Sequence, residues 1–428
     1  MKTQMLLALS MGILGLNLSA SCAAAPSAQP TTPEDLAQLP RTSQDSQVQV
    51  PPSGTDIPPK HTPYPSPTAT ITQTPLQVFH FKERCAILGS ALPPDATGSL
   101  ALDTNEGLLL IDMQSGKRIA TLMGADRYVF WSYFPLVSPG ARYLAFKEGP
   151  PGPGDAVRWL HVVDSAGREV TPPTWQPEWD VVTGWTDETT IEIVAESSID
   201  GTMVAFNPFD TSTKILTPPF DDFAQFPDPE WYSRAPIVLY DPSLTIAAYV
   251  AVETHGLFYR LWDVPRHSEL WRSLFLADST DPPSWSPDGS KIAFSVLPSG
   301  DPPFTGQLTV VGRDGIVSVS VDLSSAKDTA QPSVAASMPS WSPQGDRIAF
   351  WIMRWGTDVD TPVTLAIIDL ATREVTDYCV EGGYNTLIVW SPDGQHVTNG
   401  HRVLSLADST VYELGEYGPP LGWLAPSE

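Results

Sequence analysis

The sequence predicts an all-β fold: a seven-bladed β-propeller, with six blades as the alternative count, closed by its C-terminal strand and preceded by a disordered linker. Three observations carry the prediction. A turn motif recurs along the 428-residue chain with a spacing of 45 to 56 residues, a period that belongs to propellers or solenoids. The strand after each turn is apolar without alternation, so both of its faces must be covered. The two ends of the repeating region each look like part of one further unit.

The clearest copies are Trp285-Ser286-Pro287-Asp288-Gly289 leading to Ile292-Ala293-Phe294, and Trp341-Ser342-Pro343-Gln344-Gly345 leading to Ile348-Ala349-Phe350. Trp390-Ser391-Pro392-Asp393-Gly394 is a third. Weaker copies begin at Val137, Trp185 and Tyr240. In each full copy Pro presets φ, Asp caps locally and Gly accepts a positive φ, so a strand ending at the Trp reverses into the next. Two more strands follow, such as Leu308-Thr309-Val310-Val311 and Ile316-Val317-Ser318-Val319, with an Asp314-Gly315 hairpin signal between them. Four strands make one blade.

Six blades begin at these leads and the seventh is split. Residues 99–122 supply three strands with no leading Trp before them, and Leu421-Gly422-Trp423-Leu424 looks like a leading strand with nothing after it. Joining the two pieces closes the ring and removes exposed sheet edges. The motif resembles the TolB-like, or WD40-like, propeller repeat over roughly residues 98–426. The resemblance implies the fold and an envelope or secreted setting. It implies no catalytic residues, because the hydrolase relatives carry their chemistry on a separate domain, for which this chain has no room.

The folded region is expected to span 78–428, with a signal peptide over 1–22 and a linker over 23–77. After Lys2, Met5 to Leu18 is an apolar run too short to cross a bilayer, and reads as a signal-peptide core. Leu18-Ser19-Ala20-Ser21-Cys22 then resembles a bacterial lipobox, with Cys22 as the lipidated residue. It departs from the pattern in having Ser19 where Leu is usual, and plain secretion is the alternative. Residues 23–75 hold 12 prolines among Thr, Ser and Gln, without apolar periodicity, which makes a semi-rigid spacer.

Charge narrows the partners. With 49 acidic and 24 basic residues the surface repels phosphate backbones and anionic headgroups. Nucleic acid is therefore not an expected partner, and membrane contact is expected only through the lipid anchor. An envelope or extracellular protein is the expected partner, and a glycan is a further option.

Cys85 and Cys379 remain after Cys22. In an oxidising compartment they are expected to pair near the ring closure, separately buried thiols being the alternative. Val78 to Leu88 reads as an extra strand beside that closure.

No catalytic residue, metal site or cofactor is assigned. Asp187, Asp241, Asp288 and Asp393 recur at matching turn positions and read as caps. His396 and His401 are a weak metal signal, and Asp358 and Asp360 read as solvated loop carboxylates. Trp175, Trp179, Phe223, Trp231, Trp351 and Trp355 lie in or beside loops, away from the motif's Trp place, and are the ligand-binding candidates. The plainer reading has their rings plug gaps between blades. The preferred function is a cell-envelope lipoprotein that presents the propeller as a binding platform. A secreted enzyme acting on glycans or peptides through the central channel is the alternative, and a purely structural surface protein the remainder.

Overall fold

The computed structural model describes residues 79–427, apart from 91, 130–135, 150–158, 176–180, 195–202, 217–237, 254–255, 274–275, 278–280, 298–304, 327–332, 356–362, 383–385 and 417. The described strands form seven sheets of four or five strands each. Six are built from successive stretches of chain, and the seventh joins the two ends of the folded region.

Blade 1 is the split one: Ser99–Thr104, Gly107–Asp112 and Lys117–Gly124 receive Pro420–Leu424 as their first strand. Its register sets Leu100 opposite Trp423 and Ala101 opposite Gly422. Blade 2 is Tyr128–Val129, Tyr143–Gly149, Trp159–Asp164 and Thr174–Trp175. Blade 3 is Val181–Trp185, Ile191–Val194, Met203–Phe206 and Thr213–Leu216. Blade 4 is Val238–Tyr240, Ile246–Glu253, Gly256–Asp263 and Ser268–Arg272. Blade 5 has a divided first strand, Leu276–Ala277 and Ser284–Trp285, on Lys291–Leu297, followed by Gln307–Gly312 and Val317–Asp322. Blade 6 is Ser333–Trp341, Arg347–Trp355, Val363–Asp369 and Glu374–Glu381. Blade 7 is Val389–Trp390, His396–Thr398, Arg402–Ser405 and Thr410–Glu413.

Two short strands precede the ring, and the structure corrects their expected place. Instead of one extra strand beside the closure there are two, His80–Glu83 and Ile87–Leu88. They pair parallel to the last strands of blades 6 and 7 respectively, forming a belt on the outside.

Core packing shows that the ring closes. Alternate residues of one strand pack against different neighbours. Ile348, Phe350 and Ile352 cluster with Leu308 and Val310 of blade 5, whereas Ala349, Trp351 and Leu365 cluster with Val397 and Leu404 of blade 7. The same holds between blades 3 and 4 and between blades 4 and 5. One continuous cluster joins blades 1, 2 and 3. Leu100, Leu102 and Trp423 of blade 1 meet Val389 and Val403 of blade 7, completing the circle. This is the physical reason for the run of apolar residues without alternation: each middle strand has a blade on either side.

Inner and outer strands differ most in burial in blades 1 and 4. Pro420–Leu424 is buried throughout, while Lys117–Gly124 and Ser268–Arg272 are largely open. First strands therefore face the axis and last strands the outside.

Candidate functional site

A propeller offers two rims and an axial wall. One rim is made by the motif turns and by the hairpins between third and fourth strands. That these share a rim follows from Arg313 in the blade 5 hairpin, which donates to Ser243 and Thr245 of the blade 4 turn and pairs with Asp241 at 2.8 Å.

The turn chemistry is repeated. The Ser286, Ser342 and Ser391 hydroxyls are buried and accept the backbone N–H of Lys291, Arg347 and His396 at 2.9–3.1 Å. Asp288 accepts from the Ser286 hydroxyl and the Ser290 N–H, and the first of these bonds chiefly holds its carboxyl below the usual range. Asp393 repeats the pattern with Ser391 and Gln395. Gly289, Gly345 and Gly394 have φ of 64°, 70° and 67°, the left-handed conformation the turn requires of them.

Two carboxylates differ from their expected turn positions. Asp241 stands where the other motifs have Ser; fully buried, it accepts from the N–H groups of Thr245 and Ile246. Asp187 stands where they have Pro, and caps Thr189. The residue at the Asp place of blade 3 is Glu188, which reaches back to Ser138 at 3.0 Å and to the Gly140 N–H of blade 2. A second circle of acids was read from the sequence only at the Asp314-Gly315 hairpin. Asp112, Asp164, Asp314, Asp369 and Asp408 open or cap the outer hairpins by accepting backbone N–H groups two or more residues on. The signal was present, as an acid following the third strand in most repeats. These carboxylates serve as turn acceptors.

The axial wall is joined by tryptophans. The indole N–H of Trp185, Trp285, Trp341 and Trp390 donates to Leu136, Leu239, Ser284 and Ser340 carbonyls, at 2.9, 3.3, 2.8 and 3.0 Å. Each acceptor is the residue just before the lead of the preceding blade. A buried indole needs an acceptor, and here the acceptor lies one blade back. Tyr240 replaces Trp in blade 4; burial and the neighbouring Glu192 push its phenol pKa well above the ordinary value.

Regularity of the wall fails at blades 5 and 6. The divided first strand of blade 5 carries buried Asp281, whose carboxylate accepts from Ser337 at 2.8 Å and whose carbonyl accepts from Tyr259 of blade 4 at 2.7 Å. Ser337 begins a bulge in blade 6, and Met338 beside it has φ 52°, a strained conformation for that residue. An acid, two hydroxyls and a strained bulge thus sit together in the wall.

The opposite rim receives the ends of second strands and of last strands. Gly149 and Trp159, Val194 and Met203, Leu216 and Val238, Leu297 and Gln307, and Trp355 and Val363 are strand ends at this rim.

The aromatic candidates are placed unevenly. Trp179, Phe223 and Trp231 lie outside the described residues, as do Cys22, Asp358 and Asp360. Trp175 is in the last strand of blade 2 and Trp355 ends the second strand of blade 6. Trp351 is a correction. It lies mid-strand rather than in a loop, is 0% exposed, and donates to the Thr386 carbonyl at 2.7 Å. Its ring fills the space beside Gly382 and packs between blades 6 and 7, where a ligand has no access. Of the two histidines, His396 is buried against Asp95 at 3.2 Å and His401 is exposed at a turn.

Cys85 and Cys379 are disulfide-bonded, with Cα atoms 4.8 Å apart. Cys379 lies in the last strand of blade 6, so the bond ties the belt to the outside of that blade.

No family model matches the sequence, and a search of the curated proteins found no match. Solved structures similar in chain path include TolB from Acinetobacter baumannii, 14% identical over 77% of this chain and 82% of that one, with a TM-score of 0.41. The Cps50 (Swd1) β-propeller domain of Myceliophteria thermophila is 10% identical over 77% and 96%, TM-score 0.44. Oligogalacturonate lyase from Vibrio parahaemolyticus is 11% identical over 75% and 87%, TM-score 0.42. A shared fold does not assign a function. The chain is a β-propeller by its own strand order, and its neighbours among solved structures include TolB and Swd1 propellers.

Proposed function

We propose that this chain is an extracytoplasmic protein, tethered by a lipid on Cys22, that presents its propeller as a binding platform for an envelope or extracellular protein. The observation that carries the reading is the unlikeness of the two rims. The turn rim is built from short, self-capped turns whose carboxylates are occupied by backbone and hydroxyl donors. The longer connections between strands join strand ends at the opposite rim; Leu216 and Val238, the strand ends on either side of residues 217–237 with Phe223 and Trp231, are among them. Variable loops on a rigid scaffold are where binding surfaces are built. The Cys85–Cys379 disulfide supports an oxidising compartment. A formal charge of −25 disfavours nucleic acid and anionic lipid, and favours a partner with a basic contact surface.

The test is affinity capture by the soluble head, from Val78 onward, against envelope extract and a glycan array. Two variants accompany it: 217–237 shortened to a Gly-Ser link, and Gln344→Ala on the turn rim. A specific protein partner lost with the first and kept with the second supports the reading. Capture unaffected by the loop, or turnover of an arrayed glycan, overturns it. Metabolic palmitate labelling tests the anchor separately: label is expected in the wild type and absent in Cys22→Ser.

A further inference from the structure

The belt is joined to the ring differently from the rest of the chain. His80–Glu83 and Ile87–Leu88 pair with the outer edges of blades 6 and 7, over four and two residue pairs respectively. Ile87 and Leu88 are 72% and 62% exposed, and only Phe79, Phe81 and Ala86 of this stretch pack on the core clusters. Five backbone N–H groups, those of His80, Arg84, Ala86, Ile87 and Gly89, donate to ring carbonyls at 2.8–3.0 Å. The Lys82–Glu374 pair is at the surface, where such pairs contribute little. Between the two strands stands Cys85, exposed and bonded to Cys379.

Two features mark this disulfide as reducible in the folded protein. Cys85 is open to solvent, so an attacking thiolate reaches it without unfolding. Cys379 has φ 54°, a left-handed conformation that costs a non-glycine residue, and it is held there by its N–H donating to Asp377 at 2.8 Å. Asp377 in turn is fastened by Arg354 at 2.6 Å and Thr364 at 3.0 Å. Exposed bonds at strained positions are the labile ones among protein disulfides. Ring closure does not depend on the bond, since Pro420–Leu424 pairs directly with Ser99–Thr104 and Trp423 donates to the Thr97 carbonyl at 2.8 Å.

We propose that Cys85–Cys379 is a redox-operated clasp: a dithiol reductant releases the belt from blades 6 and 7 and leaves the ring closed. The dithiol attacks as a thiolate, forms a mixed disulfide with one cysteine, and departs as its own intramolecular disulfide. Two electrons and two protons pass to Cys85 and Cys379, which become thiols. Release uncovers the edges of Glu374–Glu381 and Thr410–Glu413, two strands then open to pairing.

The test is native-state hydrogen exchange on the whole chain, with and without dithiothreitol, accompanied by limited trypsin digestion. On reduction the five belt amides are expected to lose about tenfold or more of their protection, and trypsin to cut at Lys82 and Arg84. Amides of Ser99–Thr104 and Leu421–Leu424 keep theirs. A Cys85→Ser/Cys379→Ser variant is expected to show the reduced pattern without reductant. Unchanged belt protection after reduction overturns the proposal, as does joint loss in belt and ring. A bond that dithiothreitol reduces only after unfolding also overturns it. Should the double variant not fold, the reduced wild type decides alone.

Discussion

Both ends of the folded region are fastened to the propeller by strand pairing, yet the two fastenings are physically opposite. The C-terminal strand Pro420–Leu424 lies on the axial side of blade 1, antiparallel and fully buried, with Trp423 2% exposed. The N-terminal belt lies on the outside, parallel, short and exposed, and takes a covalent bond as well. The contrast teaches where stability comes from. Burial between two blades holds a strand without a crosslink, whereas a surface strand pair of two to four residues leaves water in competition for its bonds.

The largest effect is expected from Trp423→Ala. It removes a buried indole between blades 7 and 1 and is predicted to cost about 3–5 kcal/mol in urea unfolding. A loss below about 1 kcal/mol would show that the axial strand is not the closure. Cys85→Ser comes next. A chain-entropy model assigns about 6 kcal/mol to a loop closed over 294 residues. Because the freed belt regains mobility in the native state too, the measured loss is predicted to stay well below that figure and below that of Trp423→Ala. A reversed order would make the belt the true closure.

Trp341→Phe keeps an aromatic ring in the wall and deletes one inter-blade hydrogen bond of 2.8 Å. It is expected to cost about 1 kcal/mol, more than Trp285→Phe, whose bond is 3.3 Å. Equal losses would mean that ring packing, not the indole N–H, couples the blades. The smallest effect belongs to the turn rim. Asp288 has a carboxyl pKa held down in the folded state, so its stabilisation is present above the ordinary carboxylate range and is lost as pH falls through its folded value. Asp288→Asn is predicted to flatten that part of the stability–pH curve and to lower stability at neutral pH slightly, by less than either tryptophan change.

Trp351 shows where sequence reading stops. The sequence reading puts it in or beside a loop, away from the motif's Trp place, but Arg347–Trp355 continues as one strand of nine residues. The middle strands of this blade run long, and only the facing strand of blade 7 shows that a ring there is enclosed. Similarly, Val78 to Leu88 was legible as strand-forming, but not as two strands on two blades. Parallel edge pairing leaves no turn signal in the chain, and the partners lie about 300 residues away.

Local chemistry within single repeats set the turns, the four-strand unit and the doubly covered middle strands, because those depend on neighbours a few residues apart. The split blade was also legible, since its halves are fragments of the same pattern. Contacts between distant residues needed the tertiary structure. These are the indole bonds reaching one blade back, the belt on the outer edges, the enclosure of Trp351 and the strained bulge beside Asp281. Each is settled by which surfaces meet when the ring closes, and the chain holds no short-range record of that meeting.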